Sequence, residues 1–79
     1  MKFRVLYFAS LRDAAGSDAE AVEFAGADAR RLYAHLRERH GFTIAQPSLR
    51  LAINGEFSAW DRPLAEDDEI AFLPPVSGG

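Results

Sequence analysis

The chain has 79 residues, 48% of them hydrophobic and 27% charged, with a formal net charge of −3 and no cysteine. This is the composition of one globular domain with a single modest core, and it argues against disorder. The missing cysteine excludes disulfides, thiolate metal sites and a cysteine nucleophile, and without a basic block or a basic strip interleaved with aromatics no nucleic-acid partner is expected.

At the N-terminus Lys2 is followed by only a short apolar run, Val5 to Ala9, before Arg12 and Asp13. That run is too short for a signal peptide or a membrane span, so a cytoplasmic protein with no membrane partner is expected. Residues 2–8 alternate as a first strand, with Phe3, Val5 and Tyr7 on one face and Arg4, Leu6 and Phe8 on the other. Residues 10–15 suit a single helical turn closed by Gly16, and residues 20–24 alternate again with Val22 and Phe24 inward. Asp28 suits an N-cap for a helix through about Arg39, with Gly41 just past its end. Its apolar positions Ala29, Leu32, Tyr33 and Leu36 fall on one helical face.

Residues 49–53 alternate as a third strand, and Asn54-Gly55 signals a type I′ hairpin, which needs positive φ at both positions. Phe57 to Trp60 is expected to pair back as a short fourth strand, residues 63–68 to turn, and residues 69–73 to form the last strand before Pro74. The order is ββαβββ. One main helix packed on one face of a mixed sheet of four to five strands is an α+β arrangement, and it matches the β-grasp, or ubiquitin-like, fold. Residues 1–73 are expected to form the domain and 74–79 an extended tail.

Parity within the strands predicts which face the helix leaves open. With Phe3, Val5, Tyr7, Leu49, Leu51, Ile53, Ile70 and Phe72 inward, the other face carries Leu6, Phe8, Leu73 and Phe57, rimmed by Arg4 and Arg50. An apolar patch with an arginine rim is what a protein interface favours.

Little else points to chemistry. His35 and His40 lie five apart near the helix end with no carboxylates at a matching offset, so they read as surface or helix-terminal residues and no metal site is expected. The acidic run Glu66 to Glu69 lacks calcium-loop spacing and reads as a solvated turn. The serines have no histidine and acid nearby in sequence, and no glycine-rich phosphate loop is present. A carrier or partner is therefore expected rather than an independent enzyme.

The tail is the exception. Pro74-Pro75-Val76-Ser77-Gly78-Gly79 follows directly on an apolar strand. Proline fixes φ and restricts its predecessor, so Pro74 and Pro75 would hold the tail extended. Glycine has no Cβ, so Gly78 and Gly79 form a thread thin enough for a channel closed to side chains.

The stretches VLYFASLRDAAG (Val5–Gly16), AINGE (Ala52–Glu56) and above all DDEIAFLPPVSGG (Asp67–Gly79) resemble the small subunit of molybdopterin synthase, the MoaD family of sulfur carriers, over essentially the whole length. The thiamine-pathway sulfur carrier also ends in Gly-Gly, but is usually shorter and lacks the Phe-Leu-Pro-Pro approach. The resemblance implies that Gly79 is activated with ATP as an acyl-adenylate on a separate MoeB-like enzyme. Sulfur from a sulfurtransferase then replaces AMP to give a thiocarboxylate. It implies no permanently bound cofactor, and docking on a MoaE-like large subunit in a heterotetramer. There the tail would enter the active site and give sulfur to cyclic pyranopterin monophosphate, with Val76 and Ser77 lining the channel entrance.

Three rivals stand beside this reading: a sulfur carrier for thiazole or another sulfur-containing product, a protein modifier conjugated through its terminus, and a plain interaction domain. Lys2 is the only lysine, which makes self-conjugated chains difficult.

Overall fold

A computed structural model of the chain describes residues 1–75. Its strands are β1 (Lys2–Tyr7), β2 (Ala19–Glu23), β3 (Arg50–Ile53), β4 (Glu56–Ser58) and β5 (Glu69–Leu73), and its helices are α1 (Ala9–Ala15) and α2 (Ala29–His40), with a 3-10 turn at Gln46–Ser48. The strands form one mixed five-stranded sheet in the order β2-β1-β5-β3-β4. β1 runs parallel to β5 and antiparallel to β2, while β3 is antiparallel to both β5 and β4.

The alternation of the strands decides the core. Phe3, Val5, Tyr7, Val22, Leu51, Ile53, Ile70 and Phe72 are all buried, and so are Ala29, Leu32, Tyr33 and Leu36 of α2. Burying one such large apolar side chain contributes roughly 1.5–3 kcal/mol. Loop residues Phe42, Leu49 and Leu64 close the cluster. Tyr33 is stacked with Phe42 at a centroid distance of 5.9 Å and tilted against Phe72 at 5.2 Å.

α2 begins and ends as its sequence predicts. The Asp28 side chain accepts a hydrogen bond from the Arg30 N–H at 2.8 Å, and Gly41 ends the helix in the left-handed region. At the β3–β4 turn Ile53 pairs with Glu56, leaving Asn54 (φ 52°) and Gly55 (φ 84°) as the loop. Positive φ at both positions is the type I′ geometry, which matches the right-handed twist of the strands.

Several expectations are corrected. The segment expected as one turn is the seven-residue α1, whose Leu11 is buried, so a second helix stands between β1 and β2. β4 ends at Ser58 instead of reaching Trp60. Trp60 lies outside the ladder and stacks on Phe72 at 5.9 Å, which gives its indole apolar cover against the core. Strand boundaries elsewhere shift by one residue, with β1 closing at Tyr7, β2 spanning 19–23 and β3 opening at Arg50.

The acidic run is not simply solvated. Asp68 is buried, accepting from the Asn54 side-chain amide at 2.9 Å and from the Ala65 N–H at 2.8 Å. Asn54 Oδ1 in turn accepts the Glu69 N–H at 2.9 Å. A buried carboxylate persists only when its oxygens are satisfied, and here they tie the hairpin tip to the start of β5.

Candidate functional site

On the sheet face away from α2, one cross-strand row is set by register: Leu6 faces Ala71, Ala71 faces Ala52, and Ala52 faces Phe57. Directly paired residues point to the same side of a sheet, so these four form a line across it. The two alanines sit low in the middle and the larger side chains stand at the ends. The result is a shallow groove of about 240 Å³, lined by Leu6, Phe8, Ala52, Gly55, Phe57, Glu69, Ala71 and Leu73.

The groove is largely apolar and open. Phe57 is 64% exposed and Phe8 43%, and they are the two large hydrophobic side chains classed as exposed among the described residues. Leu6 and Leu73 are half-buried. Large apolar side chains left in water beside one another on a small domain make this face the candidate interaction surface.

The two arginines expected at the rim stand in different settings. Arg4 pairs in register with Glu69, and its Nε lies 3.5 Å from the Glu69 carboxylate. Arg50 faces Leu73 across β3 and β5, and its guanidinium carbon lies 4.1 Å from the centroid of the Phe57 ring. A guanidinium over an aromatic face is attracted by the ring quadrupole.

The parallel pairing of β1 and β5 gives the groove its relation to the tail. Tyr7 faces Phe72, so both strands leave the sheet at the same edge, bringing Phe8 and Leu73 together. Beyond them a second cleft of about 580 Å³ is lined by Phe8, Ala9, Ser10, Ile44, Leu73, Pro74 and Pro75. Ala9 turns the chain from β1 into α1 with φ 51°, a left-handed conformation that costs a non-glycine residue about 1–2 kcal/mol. Thus the groove, the cleft and the root of the tail are continuous through Phe8 and Leu73. Val76, Ser77, Gly78 and Gly79 lie outside the described residues.

A polar cluster that sequence reasoning missed sits on the helix side of the sheet. The Tyr7 hydroxyl donates to Glu20 Oε1 at 2.5 Å, His40 Nε2 lies 2.7 Å from the same oxygen, and an Arg39 nitrogen lies 3.5 Å from Oε2. Burial pushes the Glu20 carboxyl upward, but the hydrogen bonds of Tyr7 and His40 and the Arg39 charge outweigh it and hold the group below the usual carboxylate range. Burial first, and then the hydrogen bond to Glu20, raise the Tyr7 phenol. His40 is helix-terminal, as the last residue of α2, and there it is a half-buried tie between α2 and β2. One signal was in the sequence: Glu20 shares the inward parity of Val22.

Comparison with known proteins agrees with this architecture. A family model described as the ThiS family matches residues 5–79. The molybdopterin synthase sulfur carrier subunit of Escherichia coli is 37% identical over 79 residues, covering 96% of this chain and 98% of that protein. Small archaeal modifier protein 1 of Haloferax volcanii superposes with a TM-score of 0.78 at 26% identity, covering 95% of this chain and 98% of that one. A solved protein–protein complex of subunits 1 and 2 of molybdopterin-converting factor from Helicobacter pylori includes a chain with TM-score 0.69 and 26% identity, with all of both chains covered. The chain belongs to the ThiS family and has its ubiquitin-like β-grasp fold.

Proposed function

From that membership we propose that this chain is the sulfur carrier subunit of a molybdopterin synthase, with Gly79 as the reacting residue. The observation that carries the reading is the apolar groove continuous, through Phe8 and Leu73, with the tail root at Pro74 and Pro75. A carrier needs a surface that docks on a partner and a terminus that reaches the partner's chemistry. Here the two adjoin. The family match running through residue 79 and the kinship with named sulfur carrier subunits support the assignment.

The chemistry belongs to the terminus. A carboxylate is a poor electrophile, so the Gly79 carboxylate attacks the α-phosphorus of ATP on a MoeB-like adenylating enzyme and pyrophosphate leaves. A sulfurtransferase-derived sulfur then displaces AMP from the acyl carbon, which leaves a thiocarboxylate. One difficult substitution thus becomes two easier ones. The loaded tail, with residues 74–79 as the arm and Val76 and Ser77 at the channel mouth, enters a MoaE-like large subunit in a heterotetramer. There its sulfur passes to cyclic pyranopterin monophosphate. Leu6, Phe8, Phe57 and Leu73 cover the partner's apolar surface, with Arg4 and Arg50 at the edge. The chain holds no permanent cofactor and acts in the cytoplasm.

Intact mass tests the assignment. Protein incubated with the adenylating enzyme, ATP and a sulfur donor should gain about 16 Da as sulfur replaces oxygen at the covalent carrier position. A Gly79 variant with a bulkier residue should keep the fold and gain nothing. An unchanged wild-type mass, or loading of the variant at the wild-type rate, would overturn it.

The likeness to small archaeal modifier protein 1 favours a second reading, a modifier conjugated to other proteins through the same terminus. Adducts linked through Gly79 to substrate lysines in cells would favour it; retention on the large synthase subunit with sulfur transfer to the pterin favours the first.

A further inference from the structure

We infer that Arg50 reads a carboxylate on the protein that covers the groove, and that Arg4 does not. The inference rests on the docking role proposed above, because the partner is whatever protein lies over Leu6, Phe57 and Leu73. Both arginines are exposed and each pairs in register with a groove residue, Arg4 with Glu69 and Arg50 with Leu73, yet their surroundings give them different capacities. The charge of Arg4 is already answered by Glu69 at 3.5 Å on the neighbouring strand. Arg50 has no carboxylate within ion-pairing distance among the described residues. What it has is the Phe57 ring, 4.1 Å below its guanidinium carbon.

That contact is with a ring that carries no hydrogen-bond acceptor, and the guanidinium makes no side-chain hydrogen bond or ion pair among the described residues, so its donors stay available. The N–H donors of arginine lie in the guanidinium plane, in a fork that matches the two oxygens of a carboxylate. An aromatic ring against the guanidinium restrains the side chain without taking a donor into a hydrogen bond, so less entropy remains to be lost on binding. The restraint is mutual: the guanidinium also fixes a phenylalanine that is 64% exposed and would otherwise sample several rotamers. Register places the pair where it matters. Arg50 faces Leu73 across β5, and Phe57 faces Ala52 on the floor of the groove, so the fork stands at the edge of the apolar surface. A partner that fits therefore presents an apolar patch with an Asp or Glu beside it. An apolar centre with a charge at its rim both excludes water and fixes orientation.

The test uses full-length protein and the purified large synthase subunit, with affinity measured by calorimetry at two salt concentrations. Arg50→Leu is expected to weaken binding about tenfold, in the range of a lost charge-assisted hydrogen bond, and to flatten the salt dependence. Arg50→Lys should restore the salt dependence but only part of the affinity, because an ammonium has no planar fork. Arg4→Leu should weaken binding by a smaller factor than Arg50→Leu, because its exposed charge is already paired with Glu69. Thermal melting should be the same for all variants. An Arg50→Leu protein that binds with wild-type affinity and salt dependence overturns the inference while leaving the docking role in place. Equal losses from Arg4→Leu and Arg50→Leu overturn the distinction between them. A wild-type protein that does not bind the large subunit overturns the docking role, and the inference with it.

Discussion

The two faces of the single sheet are made by the same strands, yet they serve opposite ends. On the helix side Val5, Ile70 and Phe72 have no accessible surface, and aromatic rings fill the space to α2. On the other side Ala52 and Ala71 stand where bulky residues would be expected, flanked by exposed Phe8 and Phe57. The difference teaches that hydrophobicity alone does not identify a core. Large side chains facing a helix stabilise the fold, whereas small ones between two large ones leave an open groove.

That contrast breaks first if the faces prove interchangeable. Phe72→Ala should cost about 3–5 kcal/mol in denaturant unfolding, since it opens a cavity beneath Trp60 and Tyr33. Phe57→Ala, on an exposed ring, should stay within about 0.5 kcal/mol of wild type. Comparable losses would mean that both faces are core. Next in size is the effect on docking. Phe8→Arg or Leu73→Arg should weaken binding to the large synthase subunit by more than about tenfold, as interface anchors do, while leaving a cooperative melt. Unfolding instead would place those side chains among the stabilising set.

A smaller effect sharpens how the open face is held in shape. Asp68→Ala should destabilise by about 1–3 kcal/mol, because the Asn54 amide and the Ala65 N–H lose their acceptor. Hydrogen exchange should then rise at Gly55 to Phe57, which carry the groove's outer wall. The smallest effect concerns the helix side and is pH-dependent. Glu20 is held below its ordinary range, so its contribution is complete above the unfolded value of about 4.3 and is lost as pH falls through the folded value. The stability difference between wild type and Glu20→Gln should therefore be present at neutral pH and shrink as the pH falls below the ordinary carboxylate range. A difference that grows on acidification would contradict the hydrogen-bonded carboxylate.

How much of this was legible in the sequence follows from the range of each interaction. Strand alternation and the helical stripe at Ala29, Leu32, Tyr33 and Leu36 are local patterns, as are Asp28 as a cap and Asn54-Gly55 as a turn, and all appear in the fold. The same parity placed Leu6, Phe8, Phe57 and Leu73 on one face. What could not be read depends on which distant residues meet. Glu20 and His40 are twenty residues apart, and Asn54 and Asp68 fourteen. Trp60 lay in a plausible strand until Phe72 offered it a stacking partner. Likewise the Arg50 stack on Phe57 depends on the register of β3 with β4, which the hairpin fixes only after the turn closes.

The place of β5 has one more consequence. It is hydrogen-bonded on both flanks, to β1 from Arg4↔Glu69 to Tyr7↔Phe72 and to β3 from Arg50↔Leu73 to Ile53↔Ile70, and Pro74 follows directly on its last residue. Traction on the chain beyond Pro74 is therefore resisted along the strand axis. Two ladders share the load in shear, so they yield together instead of unzipping one bond at a time. On the proposed reading, the arm that enters the partner is rooted on a strand held by a ladder on each side.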